Sequence, residues 1–217
     1  LRGLVFVLYP LVKLLELLTR RVVDEPSLDT FSRAEFSAMA DLGAEEGKLE
    51  QRELDILKNL LVLRHTRVRE IMTPRTVVFS VPQRMTVQEF FSRHDSVRFS
   101  RIPVYDEEPE EVVGFVLRAD LLLAQARGEL DSTVSDFRRE LHALPDFISA
   151  ARAIEQCLQL RAQLVLVVDE YGGMAGILSL EDLLETLIGE EIVDEGDYVA
   201  DMQRHARRLA SRRSREP

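Results

Sequence analysis

The sequence predicts an α+β fold: two similar β-α-β-β-α units around a pseudo-twofold axis, preceded by a helical connector. Three observations predict it. Landmark residues recur at a near-constant distance: Pro82 and Pro145 lie 63 apart, as do Thr86 and Ser149, while Gly114 and Gly176, like Asp120 and Asp182, lie 62 apart. Such an internal repeat indicates duplicated units that bury their apolar faces on each other. Within each copy, short β-type apolar runs (RIPVY, VVGFVL; LVLVV, MAGILS) alternate with helix-period stretches. Finally, 217 residues of which 46% are hydrophobic are enough for a sizeable core. The one-residue slip between copies falls in the loop between the last two strands, where length changes are tolerated.

In chain order, residues 1–23 (LRGLVFVLYPLVKLLELLTRRVV) carry an uninterrupted apolar run of nine residues, Leu4 to Val12. A bilayer span needs about 20 residues, and no small-residue cleavage site follows, so this is neither a complete span nor a signal peptide. Lys13 and Glu16 interrupt the leucines and Arg20-Arg21 close the stretch. It reads as a juxtamembrane or interfacial helix, the end of a truncated membrane domain, with the arginines on the cytoplasmic side. The alternative is an amphipathic helix capping a soluble core. Residues 24–66 form the connector: a polar linker (DEPSLDTFSR), a capping box at Ser32 and Glu35, then two helices joined at AEEG. The repeats follow at 67–129 and 130–190.

In the first repeat, TVVFSV is an extended segment, VQEFFSRH a helix, RIPVY and VVGFVL strands, and ADLLLAQA a helix. In the second, helix SAARAIEQCLQ precedes strands LVLVVD and MAGILS, then helix EDLLETLI. Residues 191–217 are an acidic segment followed by an arginine-rich tail.

Composition narrows the functional classes. A formal net charge of −10 counts against a nucleic-acid partner. Cys157 is the only cysteine, so no internal disulfide forms, and its helical context assigns it to the core. The four histidines are scattered without a zinc spacing. No nucleophile motif, P-loop or dinucleotide fingerprint is present, so the chain does not read as an enzyme.

The stretch with most chemical content is DEYGGMAGILSLEDLLE (169–185), where a strand ends on Ser179 and a helix begins with Asp182 three residues later. One reading is a local cap, Ser179 at N-cap and Asp182 at N3, contributing about 0.5–2 kcal/mol and needing no ligand. The other uses the same geometry: a helix N-terminus attracts phosphate, Ser179 donates to a phosphate oxygen, and the Asp182 carboxylate accepts ribose hydroxyls.

IMTPR (71–75), SRIPVY (100–105), VVDEYGGMAGILSLEDLLE (167–185), IGEEIVDEGD (188–197) and the preceding AEEGKLEQRELDILKNLLVL (44–63) resemble the cytoplasmic tandem CBS (Bateman) module of the CorC/CNNM, hemolysin-like, magnesium-transport family. The resemblance covers roughly residues 30–200 and points to the shorter subtype without a C-terminal CorC domain. It implies a tandem CBS pair in which the Ser179–Asp182 position holds an adenine nucleotide. It further implies that Thr73 lies beside the adenine, because the first strand of one copy pairs across to the other. Ile177 and Pro103 would then sandwich the base, and Ser100 and Arg101 reach the phosphates. For Arg101 the competing reading is an ion pair with a neighbouring carboxylate; for Thr73, a plain strand-end hydroxyl. The equivalent second position departs from the pattern: GFVLRAD has Leu117 where a hydroxyl is needed, so Asp120 marks at most a weaker second site, and a single competent site is expected.

Acidic residues crowd the stretch after Ser179: Glu181, Asp182, Glu185, Glu190, Glu191, Asp194, Glu195 and Asp197. A solvated helix face is the ordinary meaning of such a run. Beside a polyphosphate it calls for a divalent cation, so Mg-ATP (or Mg-bound ADP, or AMP) is expected, with Mg2+ held through the phosphates rather than in a protein cage. Arg204, Arg207, Arg208, Arg212, Arg213 and Arg215 form either a solvated helix end or a contact to an anionic membrane surface. The resemblance therefore implies a nucleotide-binding regulatory module of a membrane divalent-cation transporter, at the cell membrane on its cytoplasmic side, homodimeric, with its own transmembrane domain upstream of Leu1. The alternatives are a dimerisation or interaction module without ligand and a soluble adenosyl-ligand sensor.

Overall fold

The computed structural model describes residues 33–94 and 96–190. The expected juxtamembrane helix (1–23), the linker with its Ser32 cap, and the acidic and arginine-rich segment (191–217) lie outside the described residues. The chain divides into two compact units, one ending at Leu54 and the other beginning at Asp55. In the first, α1 (Arg33–Glu45) leads through a glycine turn, with Gly47 at φ 69°, to the start of α2 (Gln51–Leu63). The Glu53 carboxylate caps α2 by accepting the Glu50 N–H at 2.9 Å.

The second unit contains both repeats. The first repeat comprises α3 (Val68–Ile71), β1 (Thr73–Pro74), a 3-10 turn (Arg75–Val77), β2 (Val81–Pro82), α4 (Val87–His94), β3 (Arg101–Tyr105), β4 (Val112–Leu117) and α5 (Arg118–Arg127). The second comprises a 3-10 turn (Val134–Phe137), β5 (His142–Pro145), α6 (Ala150–Leu160), β6 (Leu164–Val168), β7 (Met174–Ser179) and α7 (Leu180–Ile188). The expected strands 101–105, 112–117 and 174–179 and helix 87–94 are present at those bounds. The extended segment TVVFSV is not a strand along its length. A 3-10 turn occupies its start and only Val81 at its end pairs, because the preceding Thr73–Pro74 is already hydrogen-bonded to a different sheet.

Two sheets result, one ordered β2-β3-β4 and the other β1-β7-β6-β5. In each, an antiparallel hairpin (β3–β4 or β6–β7) is flanked by a short parallel strand, β2 or β5. Alternation along the strands sends Ile102, Val104 and Val116 into one core with Val87, Phe90 and Leu121. Val165, Val167 and Leu178 enter the other with Ala153, Cys157 and Leu183. Cys157 is thus a buried core residue, and burial pushes its thiol up.

Each copy's leading segment packs into the other copy. Leu63, Val68 and Ile71 complete the second repeat's core, and Val134 completes the first's. The main-chain bonds repeat this exchange: Val68 N–H to Ile148 O and Ala150 N–H to Thr66 O on one side, Val134 N–H to Met85 O and Val87 N–H to Ser132 O on the other. Neither copy closes its core alone.

Candidate functional site

The same exchange carries Thr73 across. β1 pairs antiparallel with β7, with Thr73 opposite Ile177 and Pro74 opposite Gly176. Pro74 lacks an N–H, which suits a two-residue strand end. Gly176 is required here: a Cβ at this position would come closer than 3.0 Å to the Thr73 carbonyl, so any side chain would push β1 off β7. Because Gly176 and Leu178 turn inward, Ile177 and Ser179 occupy the opposite face of β7, half-buried.

Ser179 N-caps α7 and forms a complete capping box with Asp182. The Ser179 N–H donates to Asp182 Oδ2 at 2.7 Å, the Ser179 hydroxyl donates to the same oxygen at 2.6 Å, and the Asp182 N–H donates to Ser179 Oγ at 3.0 Å. The local-cap reading of S-x-x-D is therefore realised in the structure. It leaves binding capacity, since both bonds to the Asp182 carboxylate use Oδ2 and Oδ1 accepts none among the described residues. Burial raises the Asp182 carboxyl above its ordinary value; the side-chain and backbone bonds from Ser179 pull it down, and the Glu181 charge raises it further. Ser179 has one hydroxyl proton, which goes to Asp182 or to a phosphate, not to both.

Arg101 reaches the same helix start from the other sheet. Its guanidinium donates to Gln163 Oε1 and lies 3.8 Å from the Glu181 carboxylate, so the ion-pair reading has a named partner. Pro103, two residues along β3 and hence on the same face as Arg101, is buried. The structure thus brings Thr73 beside Ile177, and Arg101 beside the α7 N-terminus where Ser179 and Asp182 sit. Ser100, just ahead of β3, is exposed, and its carbonyl accepts the Arg118 N–H at 3.0 Å.

Asp120 is placed differently. Leu117 provides no side-chain cap for α5, and the Asp120 carboxylate accepts a hydrogen bond from Arg139 Nη2 at 2.9 Å. Sequence reading missed Arg139, Gln163 and Glu181 as contacts of these residues. Gln163 does precede LVLVV as Ser100 precedes RIPVY, and both carbonyls accept the N–H of the residue that opens a helix, Leu180 or Arg118. That pairing was available from the repeat.

A CBS domain model matches residues 68–127 and again 134–189. The chain belongs to the CBS-domain family, in its CNNM/CorC branch. A UPF0053 protein of Synechocystis is 33% identical over 207 residues, covering 95% of this chain and 60% of that protein. The solved CBS domain of a bacterial CNNM/CorC family Mg2+ transporter is 30% identical, with a TM-score of 0.70, over 76% of this chain and 99% of that one. A structure of the CBS domain of the bacterial CNNM/CorC family Mg2+ transporter in complex with ATP is 31% identical, with a TM-score of 0.60, over 63% of this chain and 96% of that one. This chain spans 60% or less of the length of the first curated relatives it matches, so the CBS pair is one part of what those proteins contain. Among the described residues no helix is long and apolar enough to cross a membrane.

Proposed function

We propose that this CBS pair is the nucleotide-binding regulatory module of a membrane divalent-cation (magnesium) transport protein, binding Mg-ATP between its two repeats. The observation that carries the reading is the crossing of Thr73 onto Ile177, beside a helix N-terminus whose Asp182 Oδ1 accepts no hydrogen bond among the described residues. The ATP complex of the related CBS domain supports it. In this reading Asp182 Oδ1 accepts a ribose hydroxyl, Ser179 gives its proton to a phosphate, and Thr73 provides a polar edge beside the base. Ile177 and Pro103 enclose the base, while Ser100 and Arg101 hold the phosphates, Arg101 exchanging Glu181 for phosphate oxygen. Mg2+ screens the phosphates from Glu181 and Asp182. The role is regulatory rather than catalytic: nucleotide shifts the module between two arrangements by binding them unequally, and α1 and α2 convey the shift. The module would act as a homodimer on the cytoplasmic face, joined to its own transmembrane domain, with the arginine-rich tail near anionic lipid.

A thermal-shift titration with Mg-ATP, ADP, AMP and S-adenosylmethionine tests the reading and ranks the ligands. Stabilisation by an adenine nucleotide in the parent chain and none in Asp182→Ala is expected. A flat response to all four ligands would leave the second reading, a ligand-free interaction module, which the complete Ser179–Asp182 capping box favours.

A further inference from the structure

The counterpart of the Asp182 site, at the N-terminus of α5, is already filled by the protein itself. Arg139 stands against β4 as Thr73 stands against β7: it bridges Phe115, while Thr73 pairs with Ile177, the residue after the equivalent glycine. Its backbone is fixed there by two bonds, Arg139 N–H to Phe115 O at 2.8 Å and Phe115 N–H to Arg139 O at 3.1 Å. The close approach again depends on glycine, since a Cβ on Gly114 would fall 2.5 Å from the Arg139 carbonyl oxygen. From this anchor the guanidinium donates to Asp120 at 2.9 Å, the carboxylate that corresponds to Asp182.

We infer that Arg139 is a specificity-determining residue that limits the CBS pair to one nucleotide, its guanidinium holding the carboxylate that would otherwise accept ribose. The inference rests on the nucleotide reading of the Asp182 site. An ion pair this exposed is weak, yet the exclusion does not depend on its strength alone. A nucleotide entering here must displace a planar five-donor cation and finds Leu117 where the other half offers a hydroxyl. In the competent half the crossing residue is the short, uncharged Thr73, and Asp182 Oδ1 has no competing cation among the described residues.

Titration calorimetry with Mg-ATP on the full chain tests this through stoichiometry. The parent chain is expected to bind one equivalent, the double variant R139T/L117S two, Asp182→Ala none, and the triple variant R139T/L117S/D182A one. A double variant that remains at one equivalent overturns the role of Arg139. A parent chain that binds none overturns the nucleotide reading itself. Arg139→Ala alone, at an exposed position, is the second arm should the double variant not fold. A second, weaker binding step absent from the parent chain is expected, and a single step in a folded Arg139→Ala chain counts against the inference.

Discussion

The two repeats share a frame and differ where ligand chemistry would reside. Both receive a crossing segment from the other copy, both admit it at a glycine, and both open their last helix with an acid at the third position. At α7 the N-cap is Ser179, bonded reciprocally with Asp182; at α5 it is Leu117, which caps nothing, and Asp120 turns to Arg139. The crossing residue is Thr73 in one half and Arg139 in the other. Backbone constraints fix the scaffold on both sides, and the halves differ in the side chains at the N-cap, the crossing position and the partner of the acid. A duplicated fold can therefore keep its architecture intact while the side chains at two equivalent positions diverge.

The largest effects should come from removing what the halves share. Gly176→Ala places a Cβ against the Thr73 carbonyl, a backbone atom that cannot move aside without β1 leaving β7. Such overpacking costs about 1–3 kcal/mol, and each kcal/mol lowers Tm by roughly 2–4 °C in a chain of this size. Gly114→Ala should cost a similar amount through the Arg139 carbonyl. The two diverge on ligand: melts with and without Mg-ATP should show stabilisation lost in Gly176→Ala and kept in Gly114→Ala. Equal loss in both would erase the functional difference between the halves.

Exchanging the acids sharpens the comparison. Asp182→Ala should abolish Mg-ATP binding by calorimetry and, through the lost cap, cost about 0.5–2 kcal/mol of stability. Asp120→Ala should leave Mg-ATP affinity unchanged, because among the described residues its carboxylate is engaged by Arg139. Arg101→Ala comes next. A hydrogen bond to a charged group contributes about 1.5–3 kcal/mol, so affinity for Mg-ATP should fall roughly tenfold or more, while adenosine, which has no phosphates, should bind as before. A matching loss with adenosine would assign Arg101 to the frame through Gln163 rather than to phosphate.

Strands and helices were legible because period-2 and helix-period apolar patterns coincide with what the cores bury, as in RIPVY and VVGFVL. The failure at TVVFSV is instructive: its β-type composition cannot form a full strand once Thr73–Pro74 is committed to the opposite sheet. At the site, Ser179 and Asp182 were visible from spacing, and the ambiguity between cap and ligand site persists because one geometry serves both. Arg139 was hidden by arithmetic. The leading segments of the copies are offset by 66 residues (Thr73 to Arg139, Val68 to Val134), not by the 63 that aligns Pro82 with Pro145. A fixed offset of 63 would have matched Thr73 to Asp136 instead.

The smallest effect expected is a fraction of a proton, and it isolates Asp182. Burial holds this carboxyl above the value of about 3.9 that an unfolded chain would show. A raised acid makes the folded state bind the extra proton between the two pKa values. Its contribution to stability is therefore fully present below the unfolded value and is lost as pH rises through the folded one. Relative to Asp182→Asn, which does not titrate, the parent chain should be most stable at low pH and lose that advantage on the way to neutrality. In the proposed complex ligand would pull the other way, since ribose hydroxyls donating to the ionised carboxylate would lower its pKa. Mg-ATP binding in the same acidic window should then release protons. Calorimetry in two buffers of different ionisation enthalpy counts them, and subtracting the Asp182→Asn count removes the titration of the phosphates. An identical count in the two chains would mean that Asp182 keeps its proton affinity on binding, which removes it from the ribose contact and leaves it with the cap.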